Sequence, residues 1–426
     1  MAGTLSRLRA GVPPASMADM GLLRSGKSGE DLLRHREDVR QANFLELFVD
    51  LVLVFALSGV VSRVVRDITA DEVLVRVRSL GYLLVLALPL IWLWITTAHI
   101  TSWFDPRRHR VQWLVLASAF GLLVMSSALP TAFVGRGWEF VLPYVLLRVA
   151  RPLVLIPALR GHALRSLYLR SVLWSAGTGV IWLAGVAVTG AARAAVWAVA
   201  IAVDIVAARL RWPVPVPGTP RPAVSVWAMD SGHHLPARYQ QLLMIALGES
   251  VLAAGISFTG QRQDVAAWTA LVVVFLSTVL LWRIYFYRSG QVLAQAVTAS
   301  SDRLAAGEAT GVAHLVMVVG IVVTAVGFEV ALQHPGGRPV PAWLGAILGG
   351  PALFLYGRIR LERVVFDRLS RRRVVAIAVL VVVALPLTFA PPLAASVVAA
   401  LVLLGVALAD AHHAAGRPPE TPSPAH

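Results

Sequence analysis

Residues 43–61 read NFLELFVDLVLVFALSGVV. The stretch is apolar over a length close to the ~20 residues that carry a helix through ~30 Å of hydrocarbon. It nevertheless holds two acids, Glu46 and Asp50, at i,i+4 spacing, which places both carboxylates on one face of a helix. A charged residue near the middle of a membrane helix costs roughly 2.5–3.5 kcal/mol on insertion scales. Such a helix belongs among other helices that give the acids a partner or a wet cavity.

Working outward, apolar runs of similar length recur along the whole chain. The composition agrees: 57% of residues are hydrophobic, 14% are charged, and mean hydropathy is +0.72, against roughly 25% charged in a soluble domain. The runs do not alternate with a period of two, which excludes a strand barrel, and helices are the remaining way to satisfy backbone groups in lipid. The expected spans lie near 43–61, 79–100, 112–134, 138–158, 170–190, 192–210, 237–258, 265–286, 311–332, 341–357, 374–390 and 393–410. The reading is thus an all-α polytopic membrane protein with about twelve transmembrane helices. Residues 1–40 form a basic tail, 41–212 a first six-helix half, 213–236 a linker, 237–410 a second six-helix half, and 411–426 a flexible Pro-rich tail.

The net charge of +15 follows from topology. With the N-terminus in the cytoplasm, 28 of the 38 Lys and Arg residues fall in inside segments and eight fall outside, as the positive-inside rule requires. That accounts for the basic balance without nucleic acid. It also predicts an inner-membrane protein with both termini, the linker and the arginine-rich segment 358–373 (RIRLERVVFDRLSRRR) in the cytoplasm.

The halves share a pattern. At an offset of 199, His35 falls on His234, Gln41 on Gln240, Asp50 on Glu249 and Ser58 on Ser257. At an offset of 212, Tyr144, Arg148 and Arg151 fall on Tyr356, Arg360 and Arg363. Six spans per half would make the copies parallel repeats, an arrangement found in some secondary transporters.

Chemistry would reside in the intramembrane polar residues: Glu46, Asp50, Arg148, Arg151, Arg238, Glu249, Ser250 and Glu329, with Asp204 as a further acid. The functional reading makes Asp50 and Glu249 a proton or cation site, or an anchor for a polar solute. The structural alternative pairs them with Arg148, Arg151 or Arg238 and simply ties helices together. Arg148 and Arg151 are expected to snorkel to the cytoplasmic interface. Most tryptophans, among them Trp92, Trp94, Trp103, Trp138 and Trp282, are expected as interfacial anchors, and His99 and His314 as interfacial residues. Ser250 follows Glu249 in Gly-Glu-Ser without the Gly-x-Ser-x-Gly elbow of a hydrolase. The adjacent pairs His233-His234 and His412-His413 lack the spacing of a metal site. There is no phosphate-binding loop or dinucleotide fingerprint and no cysteine. No catalytic residue, metal or cofactor is therefore expected.

The first-span motif LELFVDLVLVFAL resembles the start of the bacterial low temperature requirement A family. The segment HHLPARYQQLLMIALGESVLAAG is similar to that family's second hallmark, an Arg-Tyr followed by an apolar run and Gly-Glu-Ser. LLWRIYFYRSG and VVTAVGFEVAL resemble two further stretches. Val49, Ala237 and Arg283 depart from the family pattern. The resemblance implies a multi-pass membrane protein with a role in growth in the cold. The leading functional expectation is a transporter- or channel-like protein whose partners are the bilayer and a small solute or ion. The alternative is a non-transporting structural or lipid-related protein of cold adaptation.

Overall fold

The computed structural model describes residues 44–162, 164–213, 234–287, 303–338 and 340–415, with single positions Leu32, Leu293, Ala296 and Ser300. Among these residues the chain is all-α and forms twelve long helices. They are α1 (Phe44–Ile68), α2 (Val73–Trp103), α3 (His109–Ala128), α4 (Gly137–Leu155), α5 (Leu164–Ala184) and α6 (Gly190–Arg209), followed by α7 (His234–Thr259), α8 (Val265–Phe286), α9 (Arg303–Gln333), α10 (Pro341–Phe366), α11 (Arg371–Leu387) and α12 (Pro392–Ala414). Eleven are long and apolar enough to cross a membrane; α11, at 17 residues, is the shortest. The protein is a multi-pass membrane protein. Every expected span falls on one helix, and α4 and α10 run unbroken through Pro143 and Pro351. Apart from Leu32, the tail 1–40 lies outside the described residues, as do most of the linker 213–236, His35, Gln41 and His233.

Two boundaries differ from expectation. The segment 358–373 is not a loop: α10 continues to Phe366, burying Arg358 and Glu362. The chain then turns at Asp367, whose backbone is left-handed, a common way to end a helix. The last helix reaches Ala414, so the C-terminal tail begins later than residue 411. In the first of these places Glu362, carried into the helix, meets Arg368 and Arg373.

Within the first half, α1 packs on α2 and α3, α2 on α3 and α6, α3 on α4, α4 on α5, and α5 on α6. The corresponding helices of the second half pack in the same way: α7 on α8 and α9, α8 on α9 and α12, α9 on α10, α10 on α11, and α11 on α12. The halves meet through α1 and α2 against α7, α9 and α10. One sequence register fails, however. Tyr144, Arg148 and Arg151 are buried, whereas Tyr356 is 46% exposed and Arg363 is exposed. An offset of 210 instead places Arg148 on Arg358, and both of these are buried.

The closest helix pair is α9 with α10. A Cβ added at Gly320 would lie 2.5 Å from the Phe354 backbone nitrogen, and one at Gly350 would lie 2.5 Å from that of Thr324. Gly327 meets Ile347 and Gly357 meets Met317 and Ala313 in the same antiparallel register. Small residues at such seams let membrane helices approach to backbone contact, where dispersion replaces the hydrophobic drive that lipid does not supply. Backbone cannot retreat as a side-chain tip can. Gly320→Ala or Gly350→Ala should therefore cost about 1–3 kcal/mol, the usual range for overpacking. This would appear as a lower midpoint in thermal unfolding of the purified protein. Gly349→Ala, with nothing within 4 Å, should leave that midpoint unchanged.

Candidate functional site

The interface between the halves is built around Asp50 on α1. Arg238, in the first turns of α7, grips it in bidentate fashion: Nη1 donates to Oδ2 at 3.0 Å and Nη2 to Oδ1 at 2.9 Å. The indole N–H of Trp94 on α2 donates to Oδ1 at 2.7 Å. The Arg238 guanidinium also stacks over the Trp94 ring, 5.1 Å from its centroid, and donates to Gln241 at 2.6 Å. Glu46, one turn before Asp50, lies 3.9 Å from Arg238. All four of Glu46, Asp50, Trp94 and Arg238 are buried. The i,i+4 acids thus share one arginine, and Trp94 is a donor in the core rather than an interfacial anchor.

A second cluster lies inside the first half. Arg148 on α4 pairs with Asp204 on α6, which also accepts from Tyr144 at 3.5 Å and from the Trp182 indole at 3.2 Å. Arg151, one turn further, donates to Thr96 at 2.7 Å, to Thr97 at 2.8 Å, to Ser118 at 3.1 Å and to the Leu147 carbonyl at 3.0 Å. Neither arginine snorkels; both are buried because acceptors on α2, α3 and α6 meet them in the bundle.

At the end of the second half, Glu362 on α10 pairs with Arg373 and Arg368, and Asp410 on α12 pairs with Arg373 at 2.7 Å and Arg372 at 3.1 Å. This network ties α10, α11 and α12. His314 is buried too, bonded to the Tyr285 hydroxyl at 2.6 Å and the Thr310 carbonyl at 2.8 Å, and His99 is buried against the Ile95 carbonyl. Neither histidine is interfacial.

Glu249 is different. It is fully buried on α7, and neither carboxyl oxygen has a hydrogen-bond partner among the described residues. Two turns further, about 12 Å by helical rise, Ser257 donates to Oε1 of Glu329 on α9 at 2.9 Å, while Glu329 Oε2 has no such partner. The structure therefore brings Asp50 together with Arg238 and Glu46, and Arg148 with Asp204. Among the described residues it pairs neither Glu249 nor Glu329 with an arginine. Ser250 spends its hydroxyl on the Ala246 carbonyl at 3.1 Å and joins no charge cluster. Sequence reasoning missed Trp94, Trp182 and the hydroxyls around Arg151. One signal was visible: the polar run Thr96-Thr97-Ala98-His99 inside an otherwise apolar span.

The family model for bacterial low temperature requirement A protein matches residues 41–408. The chain belongs to the bacterial low temperature requirement A family. An uncharacterized protein of Rhizobium meliloti (strain 1021) is 32% identical over 338 residues, covering 78% of this chain and 80% of that protein. No solved structure matches the chain. The quoted motifs fall on α1, α7, α8 and α9; of these, α1, α7 and α9 take part in the contact between the halves and carry Glu46, Asp50, Glu249 and Glu329.

Removing one partner of a buried pair leaves the other charge unsatisfied, at a cost of about 3–5 kcal/mol. Arg238→Gln should therefore lower the folded yield and thermal midpoint, and adding Asp50→Asn should recover part of the loss. A double-mutant cycle on thermal unfolding measures the coupling. Simple additivity of the two changes would show that the bidentate pair does not hold the halves together.

Proposed function

We propose that this protein is a transporter- or channel-like protein of the inner membrane, and not an enzyme, in which Glu249 loads and releases a proton at the α7/α9 contact with Glu329 as its neighbour. The observation that carries this reading is the contrast among the acids. Asp50, Asp204, Glu362 and Asp410 are each tied to an arginine, which fixes their charge. Glu249, fully buried without cation or donor among the described residues, is costly as an anion and cheap as a neutral acid. Its charge state thus depends on whether water reaches it, and that dependence is what a proton relay requires.

Glu249→Gln keeps size and polarity and removes the proton. In liposomes with an internal pH dye and an imposed gradient, the native protein should move protons faster than protein-free vesicles do. The variant should fall to the protein-free rate while keeping its thermal midpoint. Native flux in a folded Glu249→Gln protein would remove the residue from the mechanism. Absence of flux in both, with altered lipid order, would favour the non-transporting, cold-adaptation reading.

The arginine distribution gives a second expectation. Reporter fusions at both termini should read as cytoplasmic; termini on opposite sides would contradict an even number of spans, and both outside would contradict the orientation set by the arginines.

A further inference from the structure

A cavity of about 70 Å³ opens in the first half, lined by Thr96, Arg148, Arg151, Tyr168, Ser171 and Ser175 and walled by apolar and aromatic side chains such as Trp92 and Trp212. That volume exceeds what a single water needs and is of the order of a small polyatomic ion. Of its two guanidiniums, Arg148 is neutralised by Asp204, whereas Arg151 meets no carboxylate among the described residues. Three hydroxyls and one carbonyl take four of its five N–H groups, leaving one on Nη2. Tyr168, Ser171 and Ser175 line the same space, and each carries a hydroxyl that can donate. A buried cation held rigid by neutral acceptors, with further donors around a cavity, is chemically suited to an anion. Hydrogen bonds from such donors to an oxyanion are charge-assisted and strong. The cavity is formed by the ends of α2, α4 and α6 and the start of α5. The connections at that end of the bundle carry Arg107, Arg108 and Arg160, and Arg165 lies in the first turn of α5, a field that draws anions.

From this geometry we infer that the first half holds a binding site for a small oxyanion of phosphate or carboxylate type, with Arg151 as its charge anchor and Tyr168, Ser171 and Ser175 as donors. The site is independent of the proton role of Glu249, from which it is separated in the chain and in the helices that build it. The same chemistry is offered by a free anion and by a lipid phosphate whose tails lie along the apolar wall.

Binding of radiolabelled inorganic phosphate to the full-length protein, purified in a neutral sugar detergent, tests the site. Short-chain phosphatidate is titrated in parallel as competitor. One saturable equivalent of either probe is expected. Competition by phosphatidate at lower concentration than phosphate identifies the lipid source, and preference for phosphate identifies the free anion. Arg151→Gln should weaken binding about tenfold or more, the loss expected of one charge-assisted hydrogen bond. The pair Tyr168→Phe and Ser171→Ala keeps every charge and should weaken it several-fold with an unchanged thermal midpoint. Saturable binding of neither probe to the native protein overturns the inference. So does native affinity in a folded Arg151→Gln protein or, if that variant does not fold, in the hydroxyl double variant.

Discussion

Hydrocarbon offers a charged side chain no water, so every ion inside this bundle must be neutralised by a neighbour, surrounded by hydrogen-bond partners or carried as a neutral group. The arrangement of the helices follows from how each charge meets that demand. Asp50 can sit on α1 because Arg238 of α7 and Trp94 of α2 reach it. Meeting that requirement joins the two halves of the chain across 188 residues of sequence. Asp204 and Arg148 do the same for α6 and α4, and Glu362, Arg373 and Asp410 for α10, α11 and α12. Ion pairs of this kind add little net stability over apolar packing, but they are costly to break. In this bundle they fix which helix lies beside which, while the packing of α9 on α10 through glycine seams supplies close dispersion contact.

Against that background two sites depart in opposite senses. Arg151 is a cation whose acceptors are neutral, beside a cavity. Glu249 is an acid with no described partner, in the helix that carries Arg238. Each leaves the charge balance of its surroundings open, one toward an anion and the other toward a proton. The shared packing order of the halves places the first departure in one half and the second in the other. A protein built on two similar halves can in this way hold two different chemistries, a division that a pattern of matched residues alone does not reveal.

Much of the fold was legible in the sequence because hydrocarbon thickness sets helix length. All twelve long helices were readable as apolar runs, eleven of them long and apolar enough to cross a membrane, and the prolines of α4 and α10 did not interrupt them. The charge pairs were only partly legible. Asp50 with Arg238 could be anticipated as one of three possible arginines, but Arg148 was expected at the interface because its partner, Asp204, lies 56 residues away on α6. The bonds to Trp94 and Trp182 were hidden because indole serves both as an interfacial anchor and as a buried donor. The register of Tyr144, Arg148 and Arg151 on Tyr356, Arg360 and Arg363 matched in letters and failed in exposure. Spacing along one helix fixes the face a residue shares with its neighbours, but not which way that face points.

On the proposed reading Glu249 exchanges a proton while Asp50, Asp204, Glu362 and Asp410, each paired with arginine, hold fixed charges. Difference infrared spectroscopy of the protein in bilayers tests it most directly, comparing the native chain with Glu249→Gln across a pH titration. The native protein should show a carbonyl-stretch band of a protonated carboxylic acid that titrates reversibly and is missing from the variant. A native spectrum without such a band at any pH at which the protein stays folded, or a band that survives the substitution unchanged, would contradict it.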